Sequence, residues 1–352
     1  MSFFEDLSSR KKKSAESVLL IDIGADSVAG AYARYEEGQL PTIVYCRQLP
    51  IEVREDETPE SAMVRTLQLL GADLIREGAP ALNRATGCGS ADLILVSIET
   101  PWQETVARTE EFESEEPFLF TKSLVTKRLK QATVALPEQM LAEESVISTI
   151  LNGYDTRTPY GKSAKRASVV ILTSLIERRV AHDIISTLES MYHTKNIMPI
   201  SGSSLRYQAM RSIFPHERDA IILDATIKSR TSITLVRNSI FVTMIQTTVP
   251  TDDATWVSTI ANELAEIAKH YPLPRTIFLL TRVEDASLIQ EELGEMNFSS
   301  LWLSDNPPKI VTVLQSHMTG MLRYLAAGQL DFGLLFMALY YQNRVPTEEG
   351  SV

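Results

Sequence analysis

Residues 17–35 read SVLLIDIGADSVAGAYARY, and the interpretation of the whole chain turns on them. An apolar run over 18–21 closes on Asp22-Ile23-Gly24-Ala25-Asp26-Ser27, and a second β-favouring run over 28–35 follows at once. That spacing predicts a hairpin with a small polar turn. In such a turn Gly24 lets the backbone approach a phosphate, Ser27 offers its hydroxyl, and the Asp22 carboxylate can hold a metal-bound water. The same residues also suit an ordinary strand-turn-strand opening a domain, because a single Asp-x-Gly is a loose signal.

A second copy tips the balance. Residues 220–239, AIILDATIKSRTSITLVRNS, repeat the layout: an apolar strand, Asp224, a short polar turn, then a strand through Ile233, Leu235 and Val236. The turn carries Ser229 and Thr231. Two such hairpins, each opening half of the chain, point to an internal duplication. On Leu20-Ile21-Asp22-Ile23-Gly24, on Leu223-Asp224 through Thr231, and on the segment 144–176 between them, the chain resembles the actin-like ATPase superfamily. It is most similar to the branch holding the type IV pilus assembly protein PilM and the cell-division protein FtsA. The resemblance implies an α/β fold of duplicated actin-like (ribonuclease H-like) half-domains, mixed sheets flanked by helices, with an inserted small α+β domain of SHS2 type. The expected division is a tail over 1–16, a first half-domain over 17–99 and 191–216, the insert over 100–190, a second half-domain over 217–345 and a tail over 346–352.

Composition agrees with a globular chain. Of 352 residues, 44% are apolar and 22% charged, enough to build more than one core. Lys and Arg number 34 against 45 Asp and Glu, a net charge of −11, which argues against broad nucleic-acid binding. The two cysteines, Cys46 and Cys88, and five scattered histidines suggest neither a disulfide framework nor a zinc site. The N-terminus lacks a secretory apolar region, so a cytoplasmic location is expected, at the inner face of the cytoplasmic membrane by resemblance. Phe3, Phe4 and Leu7 beside Arg10-Lys11-Lys12-Lys13 suit peripheral contact with an anionic membrane or a partner, and equally suit a frayed tail.

Taken in order, periodicity predicts a strand over 42–49, a helix over 59–77, a loop over 78–90 and an almost wholly apolar strand over 91–98. The insert is expected to hold strands over 105–112, 146–151 and 167–175, and helices over 118–136 and 177–192. After a strand over 197–200 and a helix over 203–214, the second half should supply strands over 240–247, 276–280 and 309–313. Its helices are expected over 254–270, 285–295, about 318–325 and 330–344. Gly161-Lys162-Ser163 is not a P-loop, since the upstream glycine is misplaced and a strand follows.

The chain departs from its relatives where they hold ATP. Only the first hairpin keeps its glycine; the second reads Asp224-Ala225-Thr226, with a branched side chain in the phosphate position. The turn after 240–247 carries Asp252 and Asp253, and Thr281-Arg282-Val283-Glu284 stands where a glycine pair would meet adenosine. A single helix replaces an extra helical subdomain that walls the adenine pocket in the resembled family. Weak or absent nucleotide binding and no hydrolysis follow as the expectation, with no cofactor, although ATP and Mg²⁺ stay open through Asp22 and Asp224. The resemblance then implies a PilM-like scaffold of a type IV pilus or type II secretion-like platform. Its partner would be the cytoplasmic tail of a PilN-like membrane protein, with self-association possible, and exposed contacts are expected at Tyr154, Arg157 and Tyr160. The alternatives are an FtsA-like membrane-associated polymer in division, and an active ATPase or kinase with Glu99 as base.

Overall fold

The computed structural model describes residues 15–132, 138–156, 158–296, 301–302, 308–325 and 331–344. Strands β1 (Ala15–Ile23), β2 (Ser27–Glu36) and β3 (Thr42–Pro50) form an antiparallel meander. Helix α1 (Pro59–Asp73) follows, started by Thr58, whose hydroxyl accepts from the Ser61 N–H, and by Pro59 at its first position. One turn of π-helix over 74–78 passes into α2 (Ala79–Thr86), which ends on Gly87 at φ 78°. The helical run therefore extends into the stretch expected as a loop over 78–90. Strand β4 (Leu93–Ile98) is buried throughout and pairs parallel to β1.

The insert leaves from the end of β4. It holds β5 (Gln103–Leu119), α3 (Lys122–Ala132), β6 (Gln139–Leu151), β7 (Tyr154–Asp155) and β8 (Ser163–Glu177), in the sheet order β5-β8-β6-β7. Its strands run longer than the apolar stretches that announced them. Helix α4 (Arg178–Tyr192) corrects the expected boundary at 190: its buried face, Val180, Ala181, Ile184 and Leu188, packs with Met63, Leu67 and Leu70 of α1. The sheet of the insert thus ends at Glu177, and α4 covers the first half-domain.

Strand β9 (Ile197–Ser201) pairs parallel to β4, and Ser201 caps α5 (Gly202–Ile213) by accepting from the Ser204 N–H. The second half opens with β10 (Ala220–Ile227), β11 (Arg230–Arg237) and β12 (Ile240–Thr247), again an antiparallel meander. Only α6 (Trp256–His270) lies between β12 and β13 (Thr276–Thr281), and α7 (Ala286–Glu295) precedes β14 (Lys309–Thr312). The sheet order β12-β11-β10-β13-β14 reproduces β3-β2-β1-β4-β9, with the same parallel and antiparallel pairings. This is the duplication inferred from the two hairpins.

The end of the chain corrects two expectations. In place of a helix near 318–325 there is a 3₁₀ turn at Gln315–Met318, then β15 (Arg323–Tyr324), which pairs with β3. Helix α8 (Phe332–Arg344), expected in the second half, packs beneath the first sheet, and Tyr35 Oη donates to the Ala338 carbonyl at 3.2 Å. Helices α5 and α8 fill one layer between the two sheets. One core there joins Val18, Leu20 and Leu95 on one side with Ile222, Phe278 and Leu280 on the other. The opposite faces are covered by α1 and α4 in the first half and by α6 and α7 in the second. Both faces of the central strands are therefore dry, which explains why β1, β4 and β10 read as continuous apolar runs.

Candidate functional site

Strand alternation decides where the two aspartates point. Asp22 has the parity of Val18 and Leu20, and Asp224 that of Ile222, so both side chains enter the layer occupied by α5 and α8. Arg206, on α5, stands between the halves there. Its guanidinium pairs with Glu99 at the end of β4 and with Asp224 at the end of β10, and Nη1 also donates to the Gly202 carbonyl at 3.3 Å. All three side chains are nearly buried, at 15%, 8% and 10% exposure, so the ion pairs act with little solvent screening.

Asp22 does not share this arginine directly. Its carboxylate lies against the N-terminus of α8, so close that a Cβ on Gly333 would fall 2.0 Å from Oδ2, and Oδ1 is buried with no hydrogen-bond partner. Asp331 starts that helix, accepting from the Gly333 N–H at 2.7 Å. Burial, then the negative fields of Glu99 and Asp331, push the Asp22 carboxyl well above the usual range. Burial also raises Glu99 and Asp331 despite the neighbouring guanidinium. For Arg206 burial pulls downward, but Asp224, Glu99 and Asp22 outweigh it and hold the cation protonated.

The hairpin turns are occupied by their own contacts. The Gly24 N–H donates to the Ser27 carbonyl at 3.0 Å, and the Gly24 carbonyl accepts from Trp102 Nε1 at 2.6 Å. Ser27 Oγ accepts from Gln48 Nε2 at 3.0 Å, and the same amide reaches Asp331 Oδ2 at 3.1 Å. In the second turn Asp224 Oδ1 accepts from the N–H and the hydroxyl of Thr226, at 3.0 and 2.6 Å, closing a local turn. Thr231, wholly buried, accepts from Trp256 Nε1 at 2.8 Å, so it anchors α6 and does not line the cleft as expected. Arg282 joins the turns: it pairs with Asp26 of the first and donates through Nε to the Thr226 carbonyl of the second at 3.0 Å. Between Glu99, Ser203, Arg206, Asp224, Arg230 and Gln246 a cavity of about 40 Å³ remains, room for a few waters.

The expected site residues thus divide. Asp224 lines the cavity with Glu99, Asp22 lies at the N-terminus of α8, Gly24, Ser27 and Thr226 stay in the two hairpin turns that Arg282 ties together, and Thr231 faces the core. Arg206 and Arg282 dominate that cleft and were not anticipated in these roles. Arg282 was legible as the residue standing where glycines would, whereas Arg206 gives no local signal on an otherwise ordinary helix. No group of three or more His, Cys, Asp or Glu side chains suited to a metal ion occurs among the described residues.

Tyr154 and Tyr160 are exposed, at 77% and 44%, and the Tyr160 ring stacks on Phe120. Both sit at the tip of the insert, about ten residues of strand, roughly 33 Å, from its junction with the first half. Nearer the junction, Val106, Leu141 and Val146 lie exposed on the sheet face that α3 covers only at its far end. Arg108 and Glu144 pair among them at 2.6 Å. Arg157, Phe3 and Phe4 lie outside the described residues. Among the described residues no helix is long and apolar enough to cross a membrane.

No family model and no curated protein matches the chain. Solved structures do. A chain of the PilM-PilN type IV pilus biogenesis complex is 11% identical, with a TM-score of 0.52 over 96% of this chain and 100% of that one. A Bacteroides thetaiotaomicron protein of unknown function with an actin-like ATPase fold is 10% identical, with a TM-score of 0.48 over 96% and 99%. The cytoplasmic domain of EpsL, an inner-membrane component of the Vibrio cholerae type II secretion system, is 10% identical, with a TM-score of 0.39 over 92% and 95%. With its two equivalent mixed sheets, the chain has the actin-like fold.

Proposed function

We infer that the chain is a scaffold at the cytoplasmic face of a type IV pilus or type II secretion-like assembly platform, holding the extended cytoplasmic tail of a membrane partner. It works without ATP hydrolysis. The observation that carries this reading is the exchange of arginines across the cleft. Arg206 neutralises the carboxylates that would face a metal-nucleotide complex, and Arg282 ties together the two turns that would part to admit phosphates. A triphosphate would have to displace both cations and would leave Glu99, Asp224 and Asp26 without the partners that answer them. The full-length likeness to a chain of the PilM-PilN complex supports the platform. The exposed strip of Val106, Leu141 and Val146 near the base of the insert supports the tail. An extended segment laid there buries apolar side chains at alternate positions, the usual chemistry of strand-like recognition.

The test uses the full chain against overlapping peptides spanning the cytoplasmic tails of single-span membrane proteins encoded beside it. One peptide is expected to bind, and Val106→Asp with Val146→Asp should abolish that binding while the melting profile is kept. Binding of none, or binding indifferent to both substitutions, would overturn the reading.

A further inference from the structure

Away from the cleft, at the opposite end of β2, we propose a binding site for a small oxyanion of phosphate or carboxylate size. The register builds it. Arg34 on β2 faces Thr42 on β3, and Thr42 faces Arg323 on β15, so the three side chains form one row across three strands. Their neighbours Ala33 and Ile43 enter the α5 and α8 layer, so the row lies on the other face of the sheet. Strand spacing sets the two arginines roughly 10 Å apart with the threonine hydroxyl midway. That arrangement sets two like charges on either side of a gap, with Glu36 answering the one on Arg34.

The gap is open. A cavity of about 150 Å³ lies there, bounded by Arg34, Gln39, Leu40, Thr42, Arg323 and Leu325. That leaves room for a five-atom oxyanion. Glu36 also borders it and takes Nη2 of Arg34, yet Nε of Arg34 is buried and has no partner. Arg323 makes no ion pair among the described residues. Two guanidiniums against one carboxylate leave the site with one net positive charge. A buried N–H lacking an acceptor is costly to leave so, and a charge-assisted bond to an oxyanion is the strongest way to satisfy it. The Arg34 and Arg323 guanidiniums supply the donors, and the Thr42 hydroxyl between them already donates to the Leu40 carbonyl at 3.3 Å. The seven residue steps from Ser27 to Arg34 put this site roughly 23 Å from the first turn, so it stands or falls independently of the scaffold reading.

Titration calorimetry of the full chain with inorganic phosphate, and separately with acetate, in a buffer free of both tests the site. Saturable binding of either anion is expected, phosphate marking a tetrahedral and acetate a planar preference. Arg323 is exposed on a two-residue edge strand, so Arg323→Ala should weaken binding about tenfold or more with the fold unchanged. Arg34→Lys, which keeps the charge but removes the Nε–H, should weaken it too, and the cleft variant Arg282→Ala should leave it as it was. No saturable heat from either anion, or full affinity in Arg323→Ala and Arg34→Lys, would overturn the proposal.

Discussion

The two hairpins share a layout and arrive at opposite compositions, yet they end in the same condition. The first keeps Gly24 and uses the glycine's N–H and carbonyl on Ser27 and Trp102. The second has no glycine and closes its turn with Asp224 and Thr226. Their charges are answered reciprocally: Arg206 of the first half holds Asp224 of the second, and Arg282 of the second half holds Asp26 of the first. A glycine at a phosphate turn therefore says little alone; what matters is whether its backbone groups are free to meet a ligand.

The sharpest way to break this symmetry is Arg206→Ala. Removing the cation strands Glu99 and Asp224 in a nearly dry cleft, and unfolding in urea should show a loss of about 3–5 kcal/mol. Gly333→Ala comes next. A Cβ there would fall 2.0 Å from Asp22 Oδ2, and the displaced carboxylate should cost about 1–3 kcal/mol, read as an earlier urea midpoint.

Acidity gives a finer contrast between the hairpins. Burial raises the Asp22 carboxyl, so the folded state keeps a proton there that the unfolded chain has released. The contribution of Asp22 to stability should be fully present below the ordinary aspartate value, near pH 4, and be lost as pH rises through the elevated folded value. Asp22→Asn should flatten that fall in a urea series run at several pH values; an unchanged slope would contradict the burial argument. The smallest effect is expected at the second crossing. Arg282 and Asp26 are about a third exposed, so Arg282→Ala should cost about 0.5–1 kcal/mol, and a double-mutant cycle with Asp26→Ala should show the coupling.

Much of the fold was legible because local patterns fix it. The two apolar-Asp-turn-strand segments gave the duplicated meanders, and Trp256, Ile260, Leu264 and Ile267 gave the buried face of α6. What failed was assignment between layers. Helix α4 has a clear apolar face, but a face says only that it is covered and not by what. Helix α8 is apolar nearly all round, so its pattern names no sheet at all, and only the return of the chain through β15 to β3 shows where it belongs. The candidate site was half readable for the same reason. Asp22, Gly24 and Asp224 lie in motifs, whereas Arg206 matters because α5 carries it between two sheets distant in sequence. Thr231 was misplaced because a strand residue at a turn can face either the cleft or the core, and the indole of Trp256 draws it to the core.

The central claim is that internal arginines have taken the place of a metal-nucleotide complex. Calorimetric titration of the full chain with ATP and Mg²⁺ tests it most directly. No saturable binding is predicted for the native chain; micromolar affinity, with both arginines in place, would contradict it.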